Sequence, residues 1–121
     1  MYLIRAEARA QQGRITGATG ALSDLNVLRT RAGKNTAATA DKPTLLTTAS
    51  QAEALLLVER ERLYELAFEG HRWYDLVRTG RAQVVMSAFS PNWTSKYELW
   101  PIPQTEIQRN PSLVGQQNPG Y

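Results

Sequence analysis

The densest group of charged side chains in the sequence alternates carboxylates with arginines at helical spacing. It runs from Glu59 through Arg60, Glu61 and Arg62 and continues with Glu65, Glu69, Arg72, Asp75 and Arg78. The members assigned to an ion-pair lattice are Glu59, Arg62, Glu65, Glu69, Arg72, Asp75 and Arg78. Two carboxyl groups at a fixed separation, one of them with a raised pKa, are what glycoside hydrolysis requires. Every carboxylate here has an arginine within a helical turn, which lowers a carboxyl pKa and disfavours a general acid. The pattern therefore predicts a structural ion-pair lattice and no catalytic residue.

Glu59 differs from the rest of the lattice because it lies on the apolar stripe predicted for its helix, between Leu56 and Leu63. A buried carboxylate must be paired, and we expect its partner to be Arg5 or Arg29. Spacing of three residues predicts the local pairs Arg62–Glu65, Glu69–Arg72, Arg72–Asp75 and Asp75–Arg78.

Aromatic side chains are the candidates for binding a sugar, because a flat ring face stacks on a pyranose. Trp73 and Trp100 stand in apolar or proline-rich surroundings, which favours core packing. Trp93 and Tyr97 lie among Asn, Thr, Ser and Lys. We therefore predict that Trp93 and Tyr97 are exposed and are the candidate ligand-binding residues.

Composition excludes several kinds of site. The 121 residues contain no cysteine, hence no disulfide, thiolate metal site or catalytic thiol. His71 is the single histidine, and we interpret it as a structural hydrogen-bonding residue. The sequence contains no P-loop and no GxSxG motif. We expect no metal and no cofactor.

The net charge of +3 raises the question of nucleic-acid binding. The arginines between Glu59 and Asp75 alternate with carboxylates and so build no single positive face. We therefore expect no nucleic-acid partner. No apolar run approaches the roughly 20 residues that cross a bilayer.

The elements that must position these residues are predicted to be all α-helical. We expect helices near 2–13, 18–32, 50–69 and 71–79. The apolar stripe of the first comprises Leu3, Ile4, Ala8 and Ala10, and that of the third Ala52, Leu55, Leu56, Leu63, Leu66 and Ala67. Residues 1–33 then form a helical hairpin, 34–49 a loop, 50–80 a long helix with a following helix, and 81–121 an irregular tail. One short turn is possible over Pro103–Arg109.

Start and stop signals mark these helices. A capping box fits Ser50 with Glu53, and Thr48 with Gln51 fits nearly as well. Gly70 predicts a kink or break. No capping residue precedes Tyr2, so we expect the chain to be the C-terminal piece of a longer protein. Its first helix would then be partly uncovered, which predicts self-association.

Five segments in order carry a family resemblance. They are YLIRAEA at the first helix, ALSDLNVLRTRAG, ERERLYELAFEGHRWYDLVRTG, LWPIPQTEIQRNP and the final QNPGY. Together they resemble the C-terminal part of the SusD/RagB family, nutrient-binding outer-membrane lipoproteins of Bacteroidota. Two features differ from the family: Gly115 and Gln116 add residues before QNPGY, and the N-terminal half with its lipid-anchored cysteine is absent.

The resemblance implies a tetratricopeptide-like helical fold, of which residues 1–33 would be the last hairpin. It also implies a non-catalytic, lipid-anchored protein at the surface of the outer membrane. Such a protein captures glycans or other nutrients for a SusC-like TonB-dependent transporter. Family members bind ligand largely through variable loops, so the matched motifs would be scaffold. The alternatives are a free-standing helical-repeat interaction module and a glycoside hydrolase that uses helix-borne carboxylates.

Overall fold

The computed structural model describes residues 1–34, 43–47 and 49–121, and all regular secondary structure in these ranges is helical. The α-helices are α1 (Tyr2–Gln11), α2 (Ala21–Lys34), α3 (Gln51–Glu65), α4 (His71–Arg78), α5 (Ala82–Phe89) and α6 (Gln104–Arg109). Short 3₁₀ turns cover Ser95–Glu98 and Pro111–Leu113. The all-α prediction is confirmed. The chain divides into two compact units, residues 1–72 and 73–121.

The first unit is built on α1, which packs against both α2 and α3. Its buried apolar side chains are Leu3, Ala6, Leu22, Leu25, Leu28 and Val58, continued by Ala10, Ala21 and Ala54. Alanines at the helix contacts let the backbones approach closely, while the leucines of α2 fill the remaining space.

The turn between α1 and α2 requires glycine at position 20. A Cβ there would lie 2.3 Å from the carbonyl oxygen of Thr16. The close approach lets the first free N–H group of α2, on Ala21, donate to the carbonyl of Arg14 at 2.8 Å. An otherwise unpaired helix-end donor is thereby satisfied.

A buried carboxylate joins α1 to α2. Asp24 is 2% exposed and accepts hydrogen bonds from Arg5 Nε at 3.0 Å, Arg5 Nη2 at 2.6 Å and Arg9 Nη1 at 2.7 Å. These bonds raise the pKa of the Arg5 guanidinium above its ordinary value, and the charge of Asp24 adds to the shift. Two cations on one helix thus neutralise one carboxylate on the next.

The segment before α3 is anchored to α2 by its backbone. The side-chain amide of Asn26 donates to the carbonyl of Leu46 at 2.8 Å and accepts from its N–H at 2.8 Å. Arg29 Nη1 also donates to the carbonyl of Thr44 at 2.6 Å. The predicted loop is therefore attached to the helices at residues 43–47, and positions 35–42 lie outside the described residues.

The start of α3 is the predicted capping box. The Ser50 hydroxyl accepts from the N–H of Glu53, and the Glu53 carboxylate accepts from the N–H of Ser50 at 2.7 Å. The alternative cap, Thr48, lies outside the described residues. Gln51 donates to the last carbonyls of α1, those of Ala10 and Gln11.

The apolar stripe predicted for α3 is correct only in part: Leu55 and Leu66 are partly buried against the core. The buried positions are Ala54, Val58 and Glu61, whereas Leu56 is 49% and Leu63 is 40% exposed. Consecutive leucines at 55–57 allow more than one apolar face. Packing against the small residues of α1 selects the face that carries Ala54 and Val58.

The stripe predicted for α1 also needs correction, since Ile4 and Ala8 are exposed while Ala6 is fully buried. The alanine fits the close approach of the neighbouring helices, where a longer side chain would not. Gly33 lies inside α2, which ends one residue later.

The break expected at Gly70 begins earlier, because α3 ends at Glu65. The following turn contains two positive backbone angles, Phe68 at φ +66° and Gly70 at φ +77°. The tail is less irregular than expected. Residues Ala82–Phe89 form α5, since no proline or glycine interrupts them between Gly80 and Pro91.

Phe68 should limit stability, because a residue with a Cβ is strained at positive φ and its ring is fully exposed. We expect Phe68→Gly to raise the free energy of unfolding by about 1 kcal/mol. Urea unfolding followed by circular dichroism measures the change. Phe89→Gly is the control: it removes another exposed ring, but at the last residue of a helix, and it should destabilise by at most about 1 kcal/mol. If Phe68→Gly is less stable than the parent, the backbone at Phe68 is not strained.

The capping box should make stability depend on pH in the acid range. The backbone bond from Ser50, followed by its side-chain bond, lowers the pKa of Glu53 below the usual 4.5. A lowered folded-state pKa adds stability above the unfolded value and loses it as pH falls through the folded value. Glu53→Gln should therefore lose less stability than the parent when pH falls below about 4.5. Ser50→Ala removes the capping hydroxyl and should cost about 1 kcal/mol of unfolding free energy. Because it keeps the backbone N–H that binds the Glu53 carboxylate, it should retain most of the pH dependence.

Candidate functional site

A row of aromatic rings in the second unit contains both of the predicted ligand-binding residues. The rings of Trp73 and Trp93 meet edge to face, with centroids 5.7 Å apart and planes at 73°. The Tyr97 ring lies 5.6 Å from that of Trp93, tilted by 55°. Contacts of this geometry stabilise aromatic pairs beyond simple burial.

The row has a fixed inner part and an open end. The Trp93 indole N–H donates to Gln83 Oε1 at 3.1 Å, and Gln83 in turn donates to the Ser87 hydroxyl at 2.9 Å. Trp93 is half-buried, whereas Tyr97 is 47% exposed. Trp93 is therefore less exposed than predicted, because its ring is in contact with Trp73. Tyr97 presents the more accessible ring.

Trp100 was predicted to pack in the core, and it is instead 87% exposed. Its backbone carbonyl is held by the side chain of Asn118 at 2.6 Å, while its ring extends from the surface of the chain. Trp73, for which core packing was also predicted, is half-buried against Trp93.

The final segment is bound back onto residues 99–102 by side-chain hydrogen bonds. Gln117 accepts from the N–H of Ile102 at 2.8 Å and donates to its carbonyl at 2.9 Å. The Tyr121 hydroxyl donates to the carbonyl of Leu99 at 3.2 Å. These bonds replace a helix or strand ladder and fix the position of the Tyr121 ring.

Lys96 lies between two tyrosine rings. Its Nζ is 5.2 Å from the ring centroid of Tyr97 and 5.2 Å from that of Tyr121. Beside it is an open cavity of about 330 Å³, lined by Ser95, Lys96, Glu98, Leu99, Pro119 and Gly120. The sequence reasoning missed Lys96 and Tyr121. The adjacency of Lys96 to Tyr97 was the available signal, but nothing in the sequence places Tyr121 there.

Several carboxylates of the predicted lattice form ion pairs, but most of these pairs differ from the predicted ones. Glu59 is bonded to Arg72 at 3.0 Å, not to Arg5 or Arg29. The buried partner of Arg29 is Glu61, with Nη2 to Oε2 at 2.9 Å. Two residues along an α-helix differ by about 200° around its axis, so Glu59 and Glu61 lie on nearly opposite faces. Val58 and Glu61 are three residues apart and share the buried face.

Glu65 pairs across helices with Arg31, and not with Arg62 as its spacing predicted. This contact raises the pKa of the Arg31 guanidinium, chiefly through the hydrogen bond itself. Arg72 is bonded to Glu59, where spacing had suggested Glu69 or Asp75. The predicted pair of Asp75 with Arg78 is formed at 2.8 Å.

The chemistry available to these carboxylates is limited by their partners. Glu59, Glu61, Glu65 and Asp75 each form an ion pair with a guanidinium, so their carboxylate oxygens are engaged within the fold. Glu69 lies at the surface, 4.0 Å from His71. Among the described residues no cluster of three His, Cys, Asp or Glu side chains could hold a metal ion. In the same residues, no helix has the length and apolar character to span a membrane.

Comparisons with known proteins agree on one family. The family model described as the SusD family matches residues 1–97 and 79–121. SusD-like protein P38 of Formosa agariphila is 32% identical over 121 residues, which is 100% of this chain and 23% of that protein. SusD-like protein P2 of the same organism is 37% identical over 76 residues, 59% of this chain and 15% of that protein. The chain thus spans less than a quarter of either relative's length. No solved structure matches the chain.

A structural lattice predicts unequal losses of stability when its carboxylates are neutralised. Glu61→Gln leaves the buried Arg29 guanidinium without its counter-ion and should cost about 3 kcal/mol of unfolding free energy. Glu59→Gln affects a more exposed pair and should cost about 1 kcal/mol. Urea titrations of the two variants provide the comparison. Equal losses, or a larger loss for Glu59→Gln, would contradict the assignment of Glu61 as the buried partner.

Proposed function

The chain belongs to the SusD family, and from this premise we propose that the protein binds glycans or other nutrients at the cell surface without cleaving them. It delivers the bound nutrient to a SusC-like TonB-dependent transporter of the outer membrane. In the longer parent a lipid anchor holds it to that membrane. Residues 1–121 form the C-terminal portion of the SusD-like domain, with residues 1–33 as a tetratricopeptide-like hairpin.

The ion pairs support a non-catalytic role. Retaining and inverting glycosidases both need a carboxylic acid that is protonated at working pH and placed beside the scissile bond. Glu59, Glu61 and Glu65 are each bonded to an arginine of another helix. Carboxylates in this arrangement hold helices together, which supports a structural role for them.

The single observation that supports glycan binding by these residues is the exposed Tyr97 ring at the end of the aromatic row. The C–H face of a pyranose carries partial positive charge and is attracted to the electron-rich face of an aromatic ring. Trp93 contacts Tyr97 from inside the row and is itself fixed by Gln83. A ring that is already positioned loses little conformational entropy when a sugar stacks on it.

If Tyr97 stacks on a sugar, Tyr97→Ala should weaken glycan affinity about tenfold, or about 1.4 kcal/mol. Calorimetric titration of the full chain with a panel of oligosaccharides measures the affinity. Tyr74→Ala is the matched control, since Tyr74 is 73% exposed but makes no ring contact among the described residues. It should leave affinity unchanged.

Two outcomes of that titration would overturn the proposal. The first is that no oligosaccharide of the panel binds the folded parent chain. The second is that one binds, but Tyr97→Ala and Tyr74→Ala both retain its affinity while melting at the parent temperature. Turnover of any oligosaccharide by the parent chain would refute the non-catalytic assignment.

A further inference from the structure

We propose that the cavity beside Lys96 is a subsite for one pyranose ring of an uncharged glycan, with Lys96 and Glu98 recognising two of its hydroxyl groups. The proposal rests on the glycan-binding function proposed above and adds the position of the subsite and the charge class of its ligand. It assigns to Lys96 and Glu98 roles that the aromatic row by itself does not require.

The first argument is the hydrogen-bonding character of the cavity lining. An ammonium group only donates and a carboxylate only accepts, whereas every sugar hydroxyl does both. Both Lys96 and Glu98 line the cavity. Within residues 1–34, 43–47 and 49–121, neither takes part in an ion pair, so their hydrogen-bonding capacity is not used up by a charged partner. A pair of sugar hydroxyls satisfies both groups at once.

The second argument is charge. An anionic sugar that approaches Lys96 is repelled by the carboxylate of Glu98, and a cationic ligand that approaches Glu98 is repelled by the ammonium of Lys96. Like charges at one site cost affinity, so the mixed pair selects against both kinds of ion. An uncharged sugar is repelled by neither group.

The third argument is the size and the apolar part of the lining. The volume of about 330 Å³ is at the small end of the range for small-molecule pockets, about 300–1,000 Å³. Leu99 and Pro119 supply an apolar wall. One side of a pyranose is apolar through its C–H groups and its edge carries hydroxyls, which fits a lining of this composition.

The fourth argument is that the cavity is held in place before any ligand arrives. Gly120 approaches the Lys96 stem so closely that a Cβ there would lie 2.9 Å from Lys96 Cβ. The ammonium is attracted to both tyrosine rings, and Tyr121 is tied to Leu99. Cation–π contacts and this close packing restrict a side chain that is flexible on an ordinary surface.

The test is calorimetric titration of the full chain with six-sugar oligosaccharides in two sets. The uncharged set is maltohexaose, cellohexaose, laminarihexaose and xylohexaose, and the charged set is hexagalacturonate and hexamannuronate. We expect a member of the uncharged set to bind more tightly than either uronate. Lys96→Met, which keeps the stem that packs on Gly120, and Glu98→Gln, which keeps the shape, should each weaken that binding about tenfold. Glu106→Gln, at a surface carboxylate outside the cavity, should have no effect.

The outcomes separate this inference from the proposed function. If an uncharged oligosaccharide binds and Tyr97→Ala weakens it, while Lys96→Met and Glu98→Gln bind like the parent, the subsite is refuted and the glycan-binding function stands. Tighter binding of a uronate, with Glu98→Gln improving it, also refutes the subsite. Absence of binding by both sets refutes the function and the subsite together. Thermal melts show whether each variant is folded. If Lys96→Met does not fold, the conservative variant Glu98→Gln decides the test.

Discussion

The first unit depends on a carboxylate that cannot be buried alone. Asp24 is almost completely removed from solvent, and its charge is balanced by Arg5 and Arg9 from the neighbouring helix. Because an unpaired buried charge costs several kcal/mol, α1 and α2 must keep the register that brings these groups together. The same rotation of α2 buries Leu22, Leu25 and Leu28 and brings Asp24 to its two arginines.

The pair of Arg29 with Glu61 applies the same constraint to α3. Glu61 is buried on the same face as Val58, so the ion pair and the apolar contact fix one rotation of the helix. Arg29 also donates to the backbone at Thr44, which ties the preceding segment to the same arginine. One guanidinium with several donors thus connects α2, α3 and the chain that joins them.

The second unit is organised differently, because prolines prevent long helices after residue 90. Side chains take over the role of backbone pairing: Gln117 bonds both backbone groups of Ile102, and Tyr121 bonds Leu99. The same bonds place Tyr121 opposite Tyr97 with Lys96 between them. This part of the chain is held in place without a long regular helix. The resulting surface carries aromatic, cationic and acidic groups.

Much of the fold could be predicted from the sequence. Local signals were sufficient where the cause is local: Ser50 and Glu53 start α3, prolines shorten the helices of the tail, and Asp75 pairs with Arg78 one turn later. The five motifs also identified the family, because a motif is a property of the order of residues. Tyr97 was correctly predicted to be exposed from its polar neighbours.

Tertiary structure decided which apolar face of α3 is buried, and with it which glutamate meets Arg29. Three consecutive leucines at 55–57 make several rotations equally apolar, so periodicity could not choose among them. The choice depends on the small residues that α1 presents, which lie more than 40 positions away in the chain. Tyr121 and Lys96 are likewise 25 positions apart, and they meet only because side-chain hydrogen bonds fold the last residues back. Contacts between distant residues depend on the whole packing arrangement, which local residue patterns do not encode.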